Sequence, residues 1–442
     1  MARPKSIPVR EILVKMFSPA RLRAMAREAG AFERFRKVDP SILFWTLVLG
    51  FGLDRVRTLA GLRRSYEKAA RCTLVASSFY KRFTAGLAAM LRQAVADALQ
   101  SAAGAGRALT GPLAAFRDVL ITDSTVVRLH DLLADVFPAC RTNHTLAALK
   151  MHTVISVAGA GHQSVKVTSE RQHDGPVFKV GPWVRGRLLL FDLGYFRYQL
   201  FACITRSKGY FLSRLKGNSS PVIVALNRTH RGRAVPVIGE RLREVVARLN
   251  REILDVMVEV TFPRRTYRGR RHCDRQRLRV VGVRNAASGH YHLYVTNVPV
   301  EKLAAEDVSA VYAARWEIEM LFKELKGRYR LEDMPSRKRE VVEALLYAAV
   351  LTLVVSRRLL DAVRRKLRDL AHRLPERRWA AVFVAVAQEL LKLVTRPPRE
   401  VRDIASEVCA VMLHEAIDPN VDRPNLLRAV ETRRHAYRPA AA

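Results

Sequence analysis

Cysteine is scarce in this sequence, acidic residues are outnumbered, and no apolar run is long enough to cross a bilayer. The five cysteines (Cys72, Cys140, Cys203, Cys273 and Cys409) are scattered, odd in number and never in a C-x-x-C pair. That pattern argues against a disulfide framework and a zinc site, and it suits a reducing compartment. His272 beside Cys273 has no second ligand pair nearby and is read as incidental. The longest apolar runs, residues 42–50 and 344–355, fall well short of the roughly 20 residues a spanning helix needs. Residues 1–10 are basic, but no apolar segment with a cleavage site follows closely. No secretory leader and no membrane partner are therefore expected, and the expected location is the cytoplasm.

The shortage of acids carries the most information. Lys and Arg total 77 against 41 Asp and Glu, a formal net charge of +36 on 442 residues. Such a charge repels itself in the compact state, and a standing polyanion partner is the simplest reason to carry it. Nucleic acid is the leading candidate, through phosphate neutralisation and counterion release. A coding bias towards Arg would explain Arg over Lys, but not the excess over acids. The length and the 49% hydrophobic share allow a large core divided into two to four domains.

Residues 1–110 read as helical, with apolar residues at three- and four-residue spacing in 16–31, 40–53, 56–68 and 78–99. Arg63, Arg64, Lys81 and Arg82 fall on these helices. Two readings stay open there, a DNA-binding helix-turn-helix and an ordinary bundle with solvated basic faces. The texture changes after residues 104–111. Residues 118–129 (DVLITDSTVVRL), 151–157 and 165–167 read as three successive strands. A short helix at 174–183, a buried strand at 187–191 ending at Asp192, a helix at 195–206 and a strand at 209–215 follow. This order gives an α/β layer architecture. Residues 217–300 interrupt it with strands at 221–226, 256–262, 278–283 and 290–295 and one helix near 239–252. Within them, residues 264–284 hold nine arginines and a single acid, Asp274. Like charges this dense repel unless something anionic lies against them, so DNA contact is expected there. Helices return at 304–326, 339–370 and 379–394, and a basic tail follows residue 418.

The sharpest local signal is the helix at 312–326 (YAARWEIEMLFKELK). At about 100° per residue, Tyr312, Arg315, Glu319, Lys323 and Lys326 share one stripe, while Ile318, Leu321 and Leu325 form a flank that can pack on a sheet. One carboxylate among cations suits a metal ligand among phosphate-binding groups. Taken alone, an exposed helix with Arg315–Glu319 and Glu319–Lys323 ion pairs explains the stripe as well. The aspartates shift that balance. Asp123 lies along the first strand of the layer, and Asp192 ends the fourth, just before Gly194 permits a tight turn. Singly, Asp123 can bond local backbone and Asp192 can cap the following helix. Two acids on apolar strands followed by a basic-flanked glutamate on a helix are harder to ascribe to accident.

Tyr312, Arg315, Glu319 and Lys326 reproduce the Y-R-E-K signature of bacterial insertion-sequence transposases of the DDE type, and the chain resembles that family. Arg315-Trp316-x-Ile318-Glu319-x-x-Phe322-Lys323, Thr122-Asp123-Ser124-Thr125, Asp192-Leu193-Gly194-Tyr195 and the stretch 210–216 are similar to the family's neighbourhoods, so the likeness covers roughly residues 118–331. The resemblance implies an α/β fold: an RNase H-like mixed-sheet catalytic core interrupted by a β-rich insertion, with helical N-terminal and C-terminal regions. In these terms residues 1–110 are the helical DNA-binding region, 111–216 and 304–335 the two parts of the core, 217–303 the insertion, and 336–442 the C-terminal helices. It further implies Asp123, Asp192 and Glu319 as catalytic ligands of Mg²⁺, two ions with Mn²⁺ as a substitute, since hard oxygen ligands suit these metals. Tyr312, Arg315 and Lys326 would hold the DNA backbone, with Lys323, Arg214 and Lys216 as further phosphate contacts. The implied partners are double-stranded DNA, as terminal inverted repeats and target, and a second copy in a synaptic homodimer, at the nucleoid. Some relatives stack a flipped base on a tryptophan of the insertion, but the four tryptophans here are Trp45, Trp183, Trp316 and Trp379. Tyr291, His292 or Tyr294 offers the aromatic face instead. The alternatives are a domesticated or inactive RNase H-like DNA-binding protein, and a basic RNA-binding or structural protein that would leave the placed carboxylates unexplained.

Overall fold

The computed structural model describes the whole chain except residues 1–6, 33–37, 51–57, 103–106, 143, 160–162, 229–235, 264–271, 333, 335, 421–425 and 434–442. Six helices come first: α1 (Val9–Met16), α2 (Pro19–Glu28), α3 (Pro40–Leu49), α4 (Leu59–Ala70), α5 (Ala76–Tyr80) and α6 (Ala85–Ala102). The caps explain where several begin. Asp39 accepts hydrogen bonds from the Ser41 and Ile42 amides ahead of Pro40, and Thr58 accepts from Gly61, satisfying donors that the first turn leaves unpaired. Helix α3 is apolar all round, and nearly every residue in it is buried. That is the behaviour of a core helix rather than a surface one.

A ten-stranded mixed sheet follows: β1 (Val119–Arg128), β2 (Pro138–Thr142), β3 (Thr145–Ser156), β4 (Ser164–Ser169), β5 (Leu188–Phe191), β6 (Tyr210–Arg214), β7 (Val222–Leu226), β8 (Ile253–Pro263), β9 (Cys273–Arg284) and β10 (Tyr291–Thr296). The order across it is β2-β3-β1-β5-β6-β10-β9-β8-β7, with β4 also on β3. Strands β1, β5 and β6 run parallel, and β3 lies antiparallel to both β1 and β4. Strand β10 pairs with β6, so the strands of residues 217–300 prolong the central sheet. Helices α7 (Asp174–Val177) and α8 (Tyr198–Arg206) lie between the central strands in sequence, and α9 (Leu242–Arg248) between β7 and β8. Alternation along β1 divides the sheet's two faces. Val119, Ile121 and Val127 face one core with the terminal helices, and Leu120 faces a second core with Phe191, Phe201 and Phe211.

The helices after the sheet are α10 (Ala305–Ala313), α11 (Trp316–Gly327), α12 (Arg339–Lys366), α13 (Glu376–Ala385), α14 (Ala387–Thr395), α15 (Arg402–His414) and α16 (Leu426–Glu431). Helix α12 buries 18 of its 28 residues and packs on α6 and α3. The Thr352 hydroxyl donates to the Val48 carbonyl at 2.7 Å. The two helical regions interlock further where the Ile7 amide meets Cys409 Sγ at 3.1 Å and Arg10 Nε meets the Leu393 carbonyl at 3.0 Å.

Several expectations change in detail, and the helix expected over 78–99 is α5 and α6, parted at residues 81–84. The single helix expected over 304–326 is two, because Ala314 and Arg315 close a tight turn with i→i−3 hydrogen bonds to Val311 and Tyr312. The helix at 379–394 divides at Val386. The segment 174–183 keeps one α-turn and then extends from Phe178. No helix among the described residues is long and apolar enough to cross a membrane.

Candidate active site

Strands β1 and β5 are in parallel register, with Ile121 opposite Leu190 and Thr122 opposite Phe191. The next residues along are Asp123 and Asp192, so the two acids emerge side by side from adjacent central strands. Asp192 precedes a 3-10 turn (Leu193–Tyr195) and makes no side-chain cap to it, so capping is not its use. Asp123 does bond locally, its Oδ1 accepting from the Ser124 amide at 2.7 Å. Its other oxygen, Oδ2, accepts from Arg315 Nη1 at 2.9 Å.

Arg315 draws the third acid in. Its Nη2 donates to Glu319 Oε1 at 2.6 Å, one turn along α11, so one guanidinium bridges carboxylates 196 positions apart in the chain. The Arg315 side chain is only 13% exposed, against 18% for Asp123 and 28% for Glu319. Glu319 lies in the first turn of α11, where the helix dipole favours negative charge. Burial pushes the Asp123 carboxyl up to about 6, and the charges of Asp192 and Glu319 add to it, while the Ser124 amide and Arg315 act the other way. The three acids are therefore within electrostatic reach of one another.

The remaining signature residues divide into two groups. Tyr312 is buried, its hydroxyl donates to the Phe191 carbonyl at 3.3 Å next to Asp192, and its ring meets Tyr294 at 5.2 Å. Lys326 donates to the Val126 carbonyl at 2.8 Å and pairs with Glu332 at 2.9 Å. Both thereby tie the α10–α11 segment to the acid-bearing strands. Lys323, Arg214 and Lys216 are exposed. Lys323 sits over the exposed Trp316 ring, Arg214 reaches His292 Nδ1 at 3.1 Å, and Lys216 lies over Phe196. Among the aromatics of the insertion, Tyr294 is buried against Tyr312 and Tyr291 bonds the Arg251 backbone, which removes Tyr294 as a stacking surface. His292, half-buried beside Arg214, keeps that role open.

The arginine-rich stretch is not of one kind. Residues 264–271 lie outside the described residues, so the expectation for them stands without a structural account. Arg275 and Arg277 are exposed on β9. Arg279 is turned inward, 2% exposed, with Nε and Nη2 on the two oxygens of Asp255 at 2.9 and 2.6 Å and Nη1 on the carbonyls of Leu303 and Val298. It cannot be a DNA contact, because its fork is already filled by a buried carboxylate and two backbone oxygens.

Sequence reasoning passed over the group behind Asp123. His152 stands opposite Ser124 in the β1–β3 pairing. Asp174 lies 3.2 Å from His152 Nδ1 and 3.6 Å from Lys150 Nζ. The adjacent His173-Asp174-Gly175-Pro176 read only as the start of a helix. Gly194 also has a different reason from the tight turn expected of it. Its φ is not positive, but a Cβ there would lie 3.0 Å from Asp174 Oδ2.

Among the described residues, no three His, Cys, Asp or Glu side chains are drawn together closely enough to hold a metal ion. The chemistry of the donor set still fits a hard divalent cation: an aspartate borne within one strand, another at the end of its neighbour and a helix glutamate, part-buried, with like charges unfavourable to one another. Arg315 neutralises part of that charge in the arrangement seen.

The model of the family described as "Transposase DDE domain" matches residues 114–355, a span that contains Asp123, Asp192, Tyr312, Arg315, Glu319 and Lys326. The chain is 23% identical over 384 residues to the transposase for insertion sequence element IS231F of Bacillus thuringiensis subsp. israelensis, covering 78% of each. It is 21% identical over 239 residues to the putative transposase y4zB of Sinorhizobium fredii, covering 54% of this chain and 59% of that one. A piggyBac transposase synaptic complex with hairpin DNA superposes with a TM-score of 0.46 at 10% identity, covering 92% of this chain and 86% of that one. With more than half of its length matched, and the matched part centred on the acid-bearing strands and helix, the chain belongs to the DDE-domain transposases.

Proposed function

We propose that this transposase cuts DNA at the ends of its element and joins them to target DNA, with Asp123, Asp192 and Glu319 holding Mg²⁺. The observation that carries this reading is the Arg315 bridge between Asp123 and Glu319 beside the β1–β5 register that sets Asp192 next to Asp123. Three acids remote in sequence have no structural need to meet at one sheet edge, and their mutual repulsion is a cost that a cation would relieve. Bound there, two divalent ions would activate a water or a 3′-hydroxyl and stabilise the leaving oxygen. The protein's own part is positioning and charge neutralisation, which phosphoryl transfer chiefly requires. Tyr312 and Lys326 hold the α10–α11 segment against β1 and β5, and Arg315 sets the Glu319 carboxylate towards Asp123. Lys323, Arg214 and Lys216 present exposed cations for the DNA backbone. The strand order β4-β3-β1-β5-β6, with β5 and β6 parallel to β1, supports an RNase H-like core. The strands of 217–303 are then the insertion, and two copies would synapse two ends in a cut-and-paste reaction.

The test is cleavage, in Mg²⁺, of a duplex bearing the inverted repeat that flanks the coding sequence. Wild type should nick it, and Glu319→Gln should bind it without cutting. Binding by both proteins with cleavage by neither would favour an inactive DNA-binding remnant.

A further inference from the structure

Behind the acid-bearing edge, on the opposite face of the sheet, lies a side chain that the three-carboxylate scheme does not use. Asp174 opens the single turn of α7. Its carboxylate reaches three separate pieces of the fold. It lies on the side of β1 that bears Ser124, the residue after Asp123, because Ser124 stands opposite the His152 that Asp174 faces. It meets His152 and Lys150 on β3, at 3.2 and 3.6 Å. It also lies against the turn that follows Asp192, so close that a Cβ on Gly194 would sit 3.0 Å from Oδ2.

The neighbours are arranged to keep it there. His152 Nε2 lies 2.9 Å from the Thr168 hydroxyl, which itself donates to the Ser169 carbonyl. With Nε2 on Thr168, the imidazole turns Nδ1 towards Asp174 at 3.2 Å. The Gly175 carbonyl accepts from Arg197 Nη2 at 2.8 Å, and Phe178 packs edge-on against Phe191 and Tyr195. The segment carrying Asp174 is thereby fastened on both sides of Asp192. Burial alone would raise the Asp174 carboxyl, but the His152, Ser124 and Lys150 side chains around it hold it below the usual carboxylate range. Successive residues of a strand point to opposite faces, so a group on the Ser124 side cannot touch a phosphate or metal lying between Asp123 and Glu319.

We propose that Asp174 is a positioning residue of this active site, clamping β1, β3 and the Asp192–Tyr195 turn together so that Asp123 and Asp192 keep the separation that metal binding requires. The inference rests on the three-carboxylate reading above. Outer-shell partners of metal ligands typically cost about 10–100-fold in metal affinity or activity when removed, and that is the expected scale here.

The experiment uses the full chain and the same duplex, with Asp174→Ala, Asp174→Asn, Ser124→Ala and Glu319→Gln beside wild type. Four quantities are read: metal-free DNA affinity, single-turnover cleavage, the Mg²⁺ concentration giving half-maximal rate, and the rise in Tm on adding Mn²⁺ without DNA. Asp174→Ala should bind DNA within about twofold of wild type yet cleave about 10–100-fold more slowly, with a higher Mg²⁺ midpoint and a smaller Mn²⁺-induced rise. Asp174→Asn, which keeps an acceptor for Ser124, should recover part of each loss and serves in place of the alanine variant if that one does not fold. An unchanged Mg²⁺ midpoint and Mn²⁺ response in folded Asp174→Asn and Ser124→Ala overturns the proposal, as does a rate loss matched by lost DNA affinity. If Glu319→Gln is inert while the Asp174 variants behave as wild type, the positioning role alone fails. If Glu319→Gln cleaves normally, the reading of the site itself fails.

Discussion

Arg315 is shared by two carboxylates and packs within 5.9 Å of the Tyr312 ring centre, so its charge is committed within the metal-free protein. Hydrogen bonds to charged groups are worth more than neutral ones, and removing one partner leaves the other part-buried and unneutralised. Arg315→Ala should therefore lower the metal-free stability by on the order of 1–3 kcal/mol. It should also make the thermal midpoint rise further on adding Mn²⁺ than it does in wild type, and an equal rise in the two proteins would contradict this account. Asp123 makes a separate prediction. Its folded proton affinity is raised to about 6 from 3.8, so between these values the native state binds more protons than the unfolded chain. Stability from this site is therefore greatest in acid and declines as pH rises from about 4 through about 6, by at most about 3 kcal/mol at ~1.4 kcal/mol per pH unit. Asp123→Asn should flatten that part of the metal-free stability–pH profile, measured by urea unfolding at several pH values; an unaltered profile would refute the assignment.

At the scale of elements, the break between α10 and α11 is what aims the site. The 3-10 turn at Ala314–Arg315 lets Tyr312 meet Phe191 on β5 while Arg315, holding Glu319, reaches Asp123 and Lys326 reaches β1. Strand β9 makes a second such division, with Arg277 outward and Arg279 in a sealed pair with Asp255. Breaking a buried pair by removing one partner typically costs about 3–5 kcal/mol, whereas a surface substitution stays within roughly 0.5 kcal/mol. Arg279→Ala should accordingly destabilise the protein severely and Arg277→Ala hardly at all. Denaturant unfolding of the two variants decides it, and similar stabilities would show that the pair is not sealed.

For the whole molecule, the helices before and after the sheet share one core around α12, so the two helical regions are joined in space although the sheet separates them in sequence. The net charge of +36 is spread over this body and needs counterions in its absence of DNA. Binding of duplex should weaken steeply with salt, by about a thousandfold or more between roughly 50 and 200 mM if six or more phosphates are contacted. A flat affinity over that range, measured by fluorescence anisotropy, would mean that phosphate neutralisation is not the source of binding.

Most of the strands, the acid at the end of β5 and the spacing Tyr312, Arg315, Glu319, Lys326 were legible from the sequence, because apolar periodicity and residue type are local properties of the chain. The edge strand β2 was not, since Cys140-Arg141-Thr142 shows no apolar alternation and owes its conformation to pairing with β3. The inward turn of Arg279 and the pairing of β10 with β6 were equally hidden, because each depends on a partner far along the chain. The same holds for the site. Residue identity marked Asp123, Asp192 and Glu319, but only tertiary packing decided that Arg315 bridges two carboxylates, that Tyr312 and Lys326 bond the carbonyls of Phe191 and Val126, and that Asp174 stands behind the edge. Hydrogen bonds and charge pairs act over a few ångströms in space, and that distance carries no signature in the linear chain.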